Sequence, residues 1–165
     1  MRTALTRLPL LSLALVLAVS GCGSEGPTYS NQSVSVRYVS SNEVFGKMTM
    51  TLLVADNGEA SMALEISDQN RPPYRESGMM TLQPMDLVRL KQLAVQADLA
   101  TLEGPFDCSH YQGCWADKST GTLEITIDGV TSSVVIDRNI PDDKLPDRLH
   151  AMLDQIDVVL RAIPR

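Results

Sequence analysis

Thiol and imidazole chemistry in this chain is confined to three cysteines and two histidines. Cys108 and Cys114 flank Ser109-His110-Tyr111-Gln112-Gly113. Dithiol oxidoreductases separate their cysteines by two residues at a helix start that lowers one thiol pKa, whereas here five residues intervene ahead of Trp115. The expectation is a disulfide in an oxidising compartment, where closing a loop of about 7 residues contributes roughly 2 kcal/mol in the chain-entropy description. His110 has Asp107, Asp117 and both cysteines nearby in sequence, all zinc-ligand types. Sulfurs joined in a disulfide are not thiolate ligands, and no cluster with metal spacing accompanies them, so no metal and no cofactor are expected. His150 stands between Asp147 and Asp154, three residues before it and four after, as on a solvated helix face.

No Gly-x-Ser-x-Gly elbow, Walker loop, dinucleotide fingerprint or EF-hand loop occurs in the sequence. No catalytic residue is therefore assigned, and an enzyme is the least favoured class. Met48, Met50, Met62, Met79, Met80, Met85 and Met152 supply soft sulfur, but most fall in register with core positions and read as packing. Two places remain for binding. The stretch Asp68 to Gly78 is polar, contains Pro72-Pro73 and reads as a long connection of the kind that presents contacts, through Arg71, Tyr74 and Arg75. The cysteine loop offers His110, Tyr111 and Trp115.

The elements that must position these residues begin after a distinct leader. Arg2 and Arg7 precede an apolar run of about 12 residues, Leu8 to Val19, which ends at Ser20-Gly21-Cys22-Gly23. That is the anatomy of a signal peptide. It is short of the roughly 20 apolar residues that cross a bilayer. The tetrad Val19-Ser20-Gly21-Cys22 resembles the lipobox of bacterial lipoproteins. That resemblance implies cleavage before Cys22, acylation of its thiol and attachment to the cell-envelope membrane through the acyl chains. It also accounts for an otherwise odd cysteine. Gly23 and Ser24 stand where enteric bacteria use an aspartate for inner-membrane retention, so the resemblance points to the outer membrane.

The expected organisation is a signal peptide over 1–21, a lipidated cysteine and tether over 22–32, and one domain over 33–165. The whole chain carries a formal charge of -6; loss of Arg2 and Arg7 turns 14 basic residues into 12 against 20 acidic, a net charge near -8. An acidic domain without a basic patch is a poor ligand for nucleic acid.

From Ser33 the pattern has period two, with Val34, Val36 and Tyr38 on one side, and Ser40-Ser41-Asn42-Glu43 is expected to break it. Met48, Met50, Leu52 and Val54, then Ala60, Met62, Leu64 and Ile66, continue the alternation. A three-residue loop at Asp56-Asn57-Gly58, with Gly58 left-handed, pairs Met48 with Ile66, Met50 with Leu64 and Leu52 with Met62. A two-residue Asp128-Gly129 turn pairs Ile127 with Val130, Ile125 with Ser132 and Leu123 with Val134. A helix starts at Pro84 with Leu87, Leu90, Ala94 and Ala97 as its stripe and Gly104-Pro105 as its stop. The last helix carries Leu145, Leu149, Met152, Ile156, Val159 and Ile163, with Pro146 in its first turn. The fold class expected is α+β, a two-layer sandwich in β-β-β-α-β-β-α order, with an antiparallel sheet of four or five strands backed by two helices.

Pro84 to Leu102, Leu123 to Gly129 and Pro141 to Leu160 are similar in layout, as helix, hairpin and helix, to emfourin-type metallopeptidase inhibitors. The cysteine loop departs from that layout, and no inhibitory residue is carried over. The leading expectation is a non-catalytic lipoprotein interaction module with an envelope or secreted protein partner. The alternative is a protease inhibitor making contact through Ser40 to Gly46 or Asp68 to Gly78.

Overall fold

The computed structural model describes residues 32–43, 47–68, 71–111, 114 and 119–165, the side chain of Arg71 excepted. Its strands are β1 (Val34–Asn42), β2 (Lys47–Val54), β3 (Glu59–Asp68), β4 (Arg71–Thr81), β5 (Ser119–Ile127) and β6 (Val130–Asp137). The helices are α1 (Pro84–Ala97) and α2 (Asp147–Ala162). The class is α+β, and the strands form one six-stranded sheet in the order β4-β3-β2-β1-β5-β6, each neighbour antiparallel. The leader, Cys22 and most of the tether lie outside the described residues.

The sheet has one strand more than the four or five expected. Asp68 to Gly78 is not a long loop: from Arg71 the chain turns back as β4, with Tyr74 opposite Ile66, Gly78 opposite Met62 and Met80 opposite Ala60. Pro72 and Pro73 lack N–H groups but cost the ladder little at the start of an edge strand. β1 also continues past the expected break to Asn42, and Ser40 is buried within it.

Both hairpins have the expected registers. Met48 pairs with Ile66, Met50 with Leu64 and Leu52 with Met62, and Gly58 is left-handed at φ +87°. Ile127 pairs with Val130, Ile125 with Ser132 and Leu123 with Val134. Asp128 and Gly129 both have positive φ, 50° and 83°, as the mirror-image turn that suits strand twist requires. A slip of one residue in either hairpin would turn every apolar side chain away from the core.

Pro84 opens α1 as expected, but the helix stops at Asp98, left-handed at φ 40°, rather than at Gly104-Pro105. Pro146 is the residue capping α2 rather than part of its first turn. Both helices cover the same sheet face. α2 starts near Tyr38, where Leu153 and Asp157 line the same cavity, and its last turn leads to Ile163 and Pro164 over Gly78. Tyr38, Leu52, Met62 and Gly78 are successive partners across four strands. Ten residues of helix and three strand spacings each measure roughly 15 Å, so α2 lies across the strands along this row. α1 lies beside it on the turn side, where Leu87 meets Gly58 and Lys91 binds Asp56.

The core is continuous between these layers. Leu52, Leu90, Leu123, Leu149, Met152, Ile156 and Val159 are its largest fully buried side chains. The rows on the other side of α2 run Ser40-Met50-Leu64-Glu76 and Asn42-Met48-Ile66-Tyr74. In the first, Met50 and Leu64 still touch the core; in the second, Met48 is 39% and Tyr74 53% exposed.

A Cβ on Gly78 would stand 2.2 Å from the Pro164 carbonyl oxygen and 2.6 Å from the Ile163 side chain. Gly78→Ala is therefore expected to destabilise the domain by about 1–3 kcal/mol, the usual cost of overpacking. Urea unfolding checks this, and removing Ile163 to Arg165 in the same chain should make the alanine nearly neutral. A second prediction concerns Asp56, whose Oδ1 accepts from the Val34 N–H at 2.8 Å and from Lys91 Nζ. The bond from Lys91, then that from Val34, holds the carboxyl below the usual carboxylate range. A lowered folded-state pKa stabilises the fold above the unfolded value of about 3.9, and that share is lost as pH falls through the lower native value. Asp56→Asn is expected to flatten the acid side of the stability profile below about pH 4, read as urea midpoints over a pH series.

Candidate functional site

The candidate binding residues fall in two separate places. Arg71, Tyr74 and Arg75 belong to β4 at one edge of the sheet. Alternation sends Tyr74 to the helix-covered face, beside Ile66, and Arg75 to the other, where its Nε lies 3.1 Å from Glu65 Oε1. That ion pair is exposed on both sides and contributes little to stability. The Tyr74 hydroxyl donates to Glu76 Oε2 at 3.2 Å, and the Glu76 charge, followed by that bond, pushes its pKa up. Tyr74, Ile66 and Met48 thus form the apolar row beyond α2, while Lys47, Thr49, Pro73 and Arg75 border an open hollow of about 410 Å³ with Glu65 at the same end.

His110 and Tyr111 stand near the opposite edge. Phe106 makes a parallel bridge with Ile136, and the Asp137 N–H donates to the Phe106 carbonyl at 2.8 Å. The chain then enters a short 3₁₀ turn, Cys108–His110, capped by Asp107, whose Oδ1 accepts from the Ser109 N–H at 3.0 Å. Cys108 and Cys114 have Cα atoms 5.3 Å apart, within disulfide range. Their sulfurs lie with an Asp137 carboxylate oxygen inside 4.8 Å of one another, which is a three-ligand geometry only if both sulfurs are thiolates. Tyr111 is half-buried against the core. Trp115 lies outside the described residues, as do Gln112 and Gly113.

Ser109, His110 and Asp107 come into contact, but not as a proton relay. His110 Nδ1 is 2.9 Å from Ser109 Oγ and 2.8 Å from Asp107 Oδ1, and the Ser109 hydroxyl also donates to that oxygen. A relay requires serine and aspartate on different ring nitrogens, so that one proton is taken while the other is held. Here both use Nδ1, and the group is a turn cap. The Ser109 hydroxyl bond, then that of His110, keeps Asp107 below the usual carboxylate range.

Sequence reasoning missed a third place. Tyr38, Arg138, His150, Asp142, Asp154 and Asp157 line a cavity of about 130 Å³ between the sheet and α2. Tyr38 is 3% exposed, and burial raises its pKa, opposed by Arg138. Arg138 places its guanidinium carbon 5.9 Å from the Tyr38 ring centroid and donates to Ser40 Oγ at 3.1 Å. His150 lies 3.7 Å from Asp142 and 3.5 Å from Asp154. Its neighbours include the expected Asp154, but Asp142 replaces Asp147; the acidic side chains are exposed, as on a solvated face, while His150 itself is half-buried. The only local signal for this site was the bulk of Tyr38 in an alternating strand; Arg138 and the aspartates arrive from about 100 residues away.

A scan against protein-family models and a search of curated proteins find no match to this chain.

Gly121 gives the buried tyrosine its room, since a Cβ there would stand 2.8 Å from the Tyr38 hydroxyl and 3.1 Å from its ring. Gly121→Ala is expected to cost about 1–3 kcal/mol. Adding Tyr38→Phe removes the nearest atom, so the double variant should be more stable than the sum of the single changes, by urea unfolding.

Proposed function

We propose that the chain is a lipid-anchored cell-envelope lipoprotein, held through acyl chains on Cys22 in the outer membrane, whose 33–165 domain is a non-catalytic binding module. Its partner is an envelope or secreted protein, and the contact is made by the apolar row Met48, Ile66 and Tyr74. The observation that carries this reading is where that row lies. The chain enters the sheet at Ser33, beside Asp128, whereas the row stands at the far end of β1, opposite Asn42. Eight residues of strand at about 3.3 Å each put the two ends roughly 26 Å apart. A tether at one end and an uncovered apolar surface at the other suit a module that reaches away from a bilayer.

The inhibitory alternative loses its Asp68 to Gly78 loop, because most of that segment is paired strand. Of the other proposed loop, Ser40 to Asn42 belong to β1, and 44–46 lie outside the described residues.

The test uses the full chain in bacterial cells with a photoreactive side chain at position 74, and a second version with it at Asp128. Position 74 should give a discrete adduct with another envelope protein and position 128 should not. The same adduct at both positions, or none at 74, overturns the reading. Cys22→Ser should abolish incorporation of labelled palmitate and release the chain from the membrane fraction; a chain that stays bound refutes the anchor.

A further inference from the structure

Among the described residues the sheet has two edges, and they are protected very differently. β4 carries Pro72-Pro73 directly after its first residue, and the C-terminal residues cross it at Gly78. β6 reads Val130-Thr131-Ser132-Ser133-Val134-Val135-Ile136 before its last residue, Asp137, with no proline and no charge over that stretch. The two-residue turn makes Ile127 and Val130 a hydrogen-bonded pair, so even-numbered residues of β6 direct their backbone groups to β5. The backbone groups of Thr131, Ser133 and Val135 point outward. The same phase brings the Asp137 N–H to Phe106, which closes the edge at that point. Among the described residues, open edge remains from Thr131 to Ser133. Beside it runs a groove of about 460 Å³ whose apolar walls include Leu99, Leu102, Phe106 and Val134. Val130, next to this edge, is 71% exposed.

We propose that this edge pairs with the same edge of a second copy of the chain, antiparallel, about a two-fold axis at Ser132. The register is the longest that two constraints allow. Outward backbone groups must meet, so odd residues pair with odd; and the pairing must end before Val135, where the bridge to Phe106 begins. An axis at Ser133 would bring Val130 of the second copy onto Ile136 and displace Phe106. An axis at Ser132 pairs Thr131 with Ser133 of the second copy and Val130 with Val134 of the second copy. Each exposed Val130 then lies beside the other copy's groove, and no charged side chain faces another between Val130 and Val134. A foreign strand would satisfy the hydrogen bonds equally, but this strand is complementary to itself in charge, length and the valine that the groove receives.

Five paired residues and one valine per side bury less than the about 800 Å² per partner of a standard stable interface. The dimer is therefore weak, and the acidic charge of the chain makes it stronger as salt rises. It uses the edge opposite β4, so it holds or fails independently of a contact at Tyr74.

The test is disulfide trapping of the full chain in the bacterial envelope, read on non-reducing gels. At the axis the two Cα atoms stand about 4.5 Å apart, within disulfide range, so Ser132→Cys should give a covalent dimer. Ser133 is more exposed than Ser132, so chance collision favours Ser133→Cys, whereas the paired geometry favours Ser132→Cys by at least roughly five-fold. Val130→Lys in the Ser132→Cys chain should abolish the dimer without loss of monomer. No dimer from Ser132→Cys, equal or greater trapping at Ser133, or a dimer that survives Val130→Lys overturns the proposal.

Discussion

The sheet has one apolar face, and the helices that cover it are shorter than the surface to be covered. α2 is laid across the strands along the row Tyr38, Leu52, Met62 and Gly78, and α1 fills the space between that row and the turns. Two helices side by side span about 20 Å at the usual interaxial distance. The strands of β2, β3 and β4 run further than that. Apolar side chains on the far rows are consequently half-covered or exposed, and the Met48, Ile66 and Tyr74 surface is a consequence of helix placement.

Small or charged residues fix that placement at three points. Asp56, in the turn after β2, binds the first amide of β1 and the ammonium of Lys91 on α1, so one carboxylate ties strand entry to helix position. Gly78, lacking a side chain, lets the residues after α2 descend onto β4. Gly121 does the same for the Tyr38 ring, which brings Arg138 and the acidic face of α2 around one cavity. In each case a small or charged residue in one strand decides where an element remote in sequence comes to rest.

Much of this was legible because period two is local. The paired alternation of Met48, Met50 and Leu52 with Ile66, Leu64 and Met62 contains enough information to choose a turn length, and the same holds for Leu123 to Ile127 against Val130 to Val134. β4 was not legible for an equally physical reason. Its inward positions are Tyr74, Glu76, Gly78 and Met80, so the apolar material over its middle is supplied by Ile163 and Pro164, far along the chain. The cysteine pair could be read from spacing because its loop closes on itself. The Tyr38 cavity could not, because Arg138 and Asp157 have no sequence neighbour that announces them.

The cysteine loop also gains a structural meaning that spacing alone does not convey. Phe106 binds the end of β6 immediately before the Cys108–His110 turn, and the two cysteines meet beside Asp137 on that strand. Joining the sulfurs restricts the loop in the unfolded chain and keeps Phe106 and Asp107 against the strand end in the folded one. The loop thereby sets the length of β6 that is left unpaired. A shorter covering would expose the Asp137 N–H; a longer one would block Ser133 and close the groove formed with Leu99 and Leu102. Where the sheet remains open to another strand is thus governed by the position of Phe106, and that position by the turn capped at Asp107.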